Sequence, residues 1–73
     1  MTLPEMTGST LADRIQFLAD QYGGQAALGR VIYTNYQQVW RWCSGLTAPN
    51  YTMLAVICRE TGCDANWLLG VNQ

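Results

Sequence analysis

The side chains best able to do recognition chemistry fall between positions 25 and 41. Gln25, Asn35 and Gln37 each carry a carboxamide that donates and accepts at once; that of Gln37 matches the paired donor and acceptor on an adenine edge, and that of Gln25 suits a phosphate. Arg41 supplies a guanidinium fork suited to a guanine edge or a phosphate, Arg30 one suited to a phosphate, and Tyr36 and Trp40 add flat faces that can rest on thymine methyls or sugars. Covalent and metal chemistry have much less to work with. The chain has no histidine and no lysine, and its five carboxylates stand one by one, so no nucleophile-base pair and no metal-ligand set can be assembled. Neither an enzyme nor a cofactor is expected. Cys43, Cys58 and Cys63 lack CxxC spacing and read as reduced, buried thiols rather than a redox or zinc site.

Local signals define the elements that must position these side chains. Leu11, Ile15, Leu18 and Tyr22 recur at helical spacing, Thr10 and Asp13 form a capping-box pair at their start, and Gly23-Gly24 ends the period. A short second helix is expected from Gln25, with Leu28 and Ile32 on one side. Asn35 suits the cap of a third helix from Tyr36, with Gln38 reaching back in the same box, and Gly45 suits its end. Val39 and Trp42 are its inward stripe. Asn35, Tyr36, Gln37, Trp40 and Arg41 are left facing outward. Pro49 and Asn50 precede a fourth helix, Tyr51 to Thr61, with Leu54, Ile57 and Cys58 inward, and Gly62 stops it. Asp64 caps a last turn containing Trp67, Leu68 and Leu69, closed by Gly70. The fold expected is therefore all-α, five helices in one domain over residues 10–70, with tails at 1–9 and 71–73.

The segment Gln25-Ala-Ala-Leu-Gly-Arg-Val-Ile-Tyr-Thr-Asn-Tyr-Gln-Gln-Val-Trp-Arg-Trp-Cys-Ser-Gly45 resembles, without a gap, the helix-turn-helix of the lambda-repressor-like (Cro/CI-type) family. Gln25, Leu28, Gly29 and Ile32 match its second helix, and Val39, Trp42, Gly45 and Pro49 match the pattern of its recognition helix and stop. The stretch Arg59 to Gly70 is similar to the last two helices of phage CI-type repressors, so the likeness spans about Leu11 to Gly70. It implies a five-helix DNA-binding domain in which helix 3, residues 36–43, enters the major groove and Gln25 anchors helix 2 on a phosphate. It also implies a phage or prophage repressor that binds a palindromic operator as a homodimer, meeting through the exposed part of the last helix and Val71-Asn72-Gln73. Two departures stand out. Tyr33 occupies the turn position where the family carries a glycine with positive φ, and Leu46-Thr47-Ala48 lacks the basic residues often placed near the DNA backbone.

Charge bears on the choice of partner. The four cations, Arg14, Arg30, Arg41 and Arg59, are outnumbered by the carboxylates, leaving a net charge of -1, whereas most duplex-binding domains are basic. Free amides at the start of helix 2 can meet a phosphate without a lysine, which answers part of that objection. Double-stranded DNA leads as the expected ligand. The alternative is a protein-binding module on the same fold, an anti-repressor or modulator of a host regulator, using Tyr36 and Trp40. Asn35 keeps two roles open, cap and base reader, and the cap is favoured because it needs no partner. Arg14 and Arg59 read as solvated charges, whereas Trp42 and Trp67 read as core. Trp40, a large aromatic on an outward face, reads as either a contact residue or an interface residue. With no signal-peptide pattern at the start and no long apolar run, a cytoplasmic location is expected.

Overall fold

A computed structural model describes Leu3, Pro4 and residues 9–70. Its elements are α1 (Leu11–Tyr22), α2 (Gln25–Val31), α3 (Tyr36–Ser44), α4 (Tyr51–Thr61) and α5 (Ala65–Leu69), with no strand among the described residues. The protein is all-helical. The starts of α1, α3, α4 and α5 are capped by side chains, whereas α2 starts at Gly24 with no side-chain cap. Thr10 and Asp13 make a complete capping box, and Asn35, Asn50 and Asp64 each accept from the backbone N–H three residues on. One detail differs. Asn35 Oδ1 accepts from Gln38 N at 2.8 Å, but Gln38 does not return a bond to the Asn35 backbone, so that box is half made.

The core is one cluster, built from Ile15, Leu18 and Ala19 of α1, Leu28 and Ile32 of α2, Val39 and Trp42 of α3, Ile57 of α4, Cys63, and Trp67 and Leu68 of α5. The helices α1, α2 and α3 pack on one another, and α5 packs on α1 and α4. Of the inward residues expected on α4, Ile57 is buried while Leu54 and Cys58 are half-buried against the cluster. Leu69 is exposed, so α5 contributes Trp67 and Leu68 alone. Leu3 and Pro4 join the fold from the segment expected as a tail. Leu3 packs on the core, and the Trp67 indole N–H donates to the Pro4 carbonyl at 2.7 Å.

Arg14 corrects the expectation of a solvated charge. Its side chain is buried, donates through Nη1 to the Trp67 carbonyl and lies over the Trp67 ring, 5.6 Å from the centroid. Phe17 meets the same ring edge-on at 5.7 Å. A cation above an indole face and beside a helix-terminal carbonyl is attracted by both the ring quadrupole and the helix dipole. The contact ties α1 to α5. Arg59 keeps its expected place at the surface, paired with Glu60 at 3.0 Å.

Two backbone features set how closely α2 and α3 approach. Gly29 is buried, and a Cβ there would stand 3.1 Å from the Thr34 carbonyl oxygen, so the turn crosses α2 where it lacks a side chain. The Thr34 N–H in turn donates to the Gly29 carbonyl at 2.8 Å. Tyr33 has φ 64°, the one positive value outside glycine among the described residues, and its side chain is 76% exposed. Tyr33 thus adopts the left-handed conformation with the crowding that a Cβ brings there. Replacing Tyr33 with Gly relieves that crowding at the expense of a more flexible unfolded chain, for an expected net gain of about 0.5–1 kcal/mol. Urea unfolding of the two chains measures it, and a loss of stability would show that the ring makes a favourable contact.

Candidate nucleic-acid interface

The α3 helix carries two faces because its inward stripe is fully committed. Val39 and Trp42 are 0% and 1% exposed, held against α1 and α2, and this fixes which residues point away. Tyr36, Gln37, Trp40 and Arg41 all lie on the exposed side, and Asn35 is exposed at the helix start. All five residues expected in the outward row are therefore on one accessible surface. Their roles differ. The side-chain oxygen of Asn35 is already used in the cap, which leaves its amide NH2 for any ligand.

Around the row, Arg30 is exposed near the end of α2 and Tyr33 is exposed in the turn. Neither Arg30 nor Arg41 forms an ion pair with a described carboxylate, so both guanidinium groups stand available to an anion. Trp40 retains 44% of its surface and Tyr36 52%, which makes this face both aromatic and polar. The loop from Leu46 to Ala48 is exposed and uncharged, as its composition leads one to expect.

Gln25 is placed differently from the rest. It opens α2 as expected, but it is half-buried, and its Nε2 donates to Gln16 Oε1 at 2.7 Å. Gln16 in turn donates to Asp20 Oδ1 at 2.8 Å. The carboxamide expected to reach a phosphate is thus the end of a chain of hydrogen bonds that starts at a carboxylate on α1. The same corner touches Cys43, whose thiol pKa is raised by burial and by the Asp20 carboxylate, with the Gln25 side chain acting in the opposite direction. Gln16 is the residue that sequence reasoning missed. Its i,i+4 relation to Asp20 on one helix face was the available signal, whereas its reach across to α2 was not a local property.

With one end in a cap and others in solvent, the row divides energetically. Substituting Asn35 with Ala is expected to lower stability by about 1 kcal/mol through loss of the cap. Gln37→Ala and Arg41→Ala are expected to stay within about 0.5 kcal/mol of the parent, because neither side chain supports the fold. Chemical denaturation of the three variants tests this division, and a large loss at Gln37 or Arg41 would assign that residue a structural role.

Two chemistries are open to a surface of this kind: paired hydrogen bonding to base edges through Gln37 and Arg41, and aromatic contact through Tyr36 and Trp40. Among the described residues no group of three or more histidine, cysteine, aspartate or glutamate side chains could hold a metal ion, and no helix is long and apolar enough to cross a membrane. No protein-family model matches the chain, and neither the curated proteins nor the solved structures contain a match to it.

Proposed function

We propose that the protein is a sequence-specific DNA-binding regulator with a lambda-repressor-like helix-turn-helix formed by α2 and α3. The observation that carries the proposal is the placement of Gln37 and Arg41 on the exposed side of α3, directly opposite the buried Val39 and Trp42. In that arrangement the inward stripe holds the helix against the body while its first turns reach base edges. The tight crossing at Gly29 supports the same reading, since it seats the turn between α2 and α3 closely against α2.

In this proposal Gln37 pairs with adenine, Arg41 with guanine or a phosphate, Tyr36 and Trp40 cover thymine methyls and sugars, and Arg30 neutralises a phosphate. The α2 amides at Gln25 meet the backbone, with the Gln25 carboxamide oriented by Gln16 rather than free to swing. A Cro-like phage or prophage repressor acting as a homodimer on a palindromic operator is the form the sequence likeness favours. Such a dimer places two recognition helices about 34 Å apart, one turn of the duplex.

A protein-binding module is the second reading, favoured by two specific observations. Tyr33, Tyr36 and Trp40 all expose aromatic surface, and the net charge is -1. Surfaces rich in aromatic groups and poor in cations suit a protein better than a phosphate backbone.

Salt and substitution separate the two. Selection of bound duplexes from a random pool at low salt is expected to return a palindromic site whose affinity falls only gently with salt, with a log-log slope of about -2 to -4 for a dimer. Gln37→Ala is then expected to relax preference at one base position by about 1–3 kcal/mol, while Arg30→Ala weakens all duplexes alike. Failure to shift any duplex at micromolar protein ends the DNA proposal. For the second reading, Trp40→Ala is expected to remove a captured protein partner while helicity is unchanged.

A further inference from the structure

The α4 and α5 end of the molecule holds two thiols in contact. Cys58, in the last turn of α4, and Cys63, just past it, bring their sulfurs to 3.9 Å, with Gly62 capping the helix between them at φ 73°. Cys58 also lines an apolar groove of about 230 Å³, together with Leu54, Ala55, Leu68 and Leu69. Cys63 is buried, so solvent reaches the pair by way of Cys58. Packing alone accounts for the apolar surroundings of both residues but not for two thiols meeting each other.

We propose that Cys58 and Cys63 form a reversible dithiol–disulfide site, closed by a small neutral peroxide that enters along the α4–α5 groove. The Cys58 thiolate attacks one peroxide oxygen, the O–O bond breaks, and Cys58 becomes a sulfenic acid as hydroxide leaves. The Cys63 thiolate then attacks Cys58 Sγ, the S–O bond breaks, a second hydroxide leaves, and the S–S bond forms. The two thiol protons convert the two hydroxides to water. Two thiols lose two electrons and hydrogen peroxide gains them. Closure draws the sulfurs from 3.9 Å to about 2.05 Å. The left-handed Gly62 is the residue between them best able to absorb that shift.

The surroundings also set the rate. Burial first, then the neighbouring Cys63 thiol, pushes Cys58 up to about 11, so the attacking thiolate is scarce at neutral pH and increases tenfold with each pH unit below that value. The groove wall is apolar, which favours an uncharged oxidant over an ionic one.

Arg59 makes the test direct. Trypsin cuts after it, leaving Cys58 in residues 42–59 and Cys63 in residues 60–73, two peptides that only a disulfide can join. The full chain carrying Cys43→Ser, exposed to hydrogen peroxide, is expected to lose both remaining thiols, yield the 42–59/60–73 linked pair, and release it again with dithiothreitol. Closure is expected to run about 100-fold faster at pH 9 than at pH 7. Adding Cys58→Ser or Cys63→Ser is expected to abolish the link. Should Cys43→Ser disturb folding, the wild-type chain serves, because additional cleavage after Tyr51 separates Cys43 from Cys58. Oxygen addition at one cysteine with the peptides unlinked, or links that join two chains instead of one, would overturn the proposal.

Discussion

Burial of Val39 and Trp42 is the constraint on which the rest of the molecule depends. Trp42 is the largest of the fully buried side chains, and it is covered within the cluster that Ile15 and Leu18 of α1 and Leu28 and Ile32 of α2 also build. Truncating such a residue to alanine typically costs about 3–5 kcal/mol, a large part of a small domain's stability. Rotation of α3 about its axis would trade this burial for exposure of the indole. The polar and aromatic face at 36, 37, 40 and 41 is therefore held outward by the core.

Arg14 extends the same logic to the far side of the domain. A guanidinium taken out of water needs compensation, and here it comes from the Trp67 carbonyl and the indole face together. Trp67 is fixed in turn by Phe17 and by the Pro4 carbonyl. A five-residue helix such as α5 cannot persist on its own backbone hydrogen bonds, so its position is set by what grips it. The N-terminal residues and α1 supply that grip. One consequence is that only three of the four cations are at the surface, which sharpens the shortage of positive charge facing any phosphate.

Gln25 opens α2, whose free amides are proposed to meet a phosphate, yet its side chain is drawn back toward Gln16 and Asp20. Orientation and affinity pull in different directions here. A carboxamide held in one geometry loses less entropy on binding, while a carboxylate at the end of the chain lowers the local potential. Strain in the neighbouring turn belongs to the same balance, since Tyr33 keeps the left-handed conformation that lets Thr34 sit over Gly29.

The helices and their ends were legible in the sequence because they rest on contacts within a few residues: Thr10 with Asp13, Asn35 with Gln38, Asn50 with Met53, Asp64 with Trp67. Periodicity likewise separated the Val39–Trp42 stripe from the outward row, because both lie on one helix of known pitch. Tertiary structure alone decided that Arg14 is interior, that Gln25 is tethered and that Leu3 and Pro4 belong to the fold. Each of those outcomes joins residues nine to sixty-three positions apart. The pairing of Cys58 with Cys63 belongs with them despite its short span, since it needs the chain to turn back at Gly62 and bring Cys63 into the core. A side chain's type states what it can bind, and its local spacing states which way it points from its own helix. What it meets there is determined by the packing of the other helices.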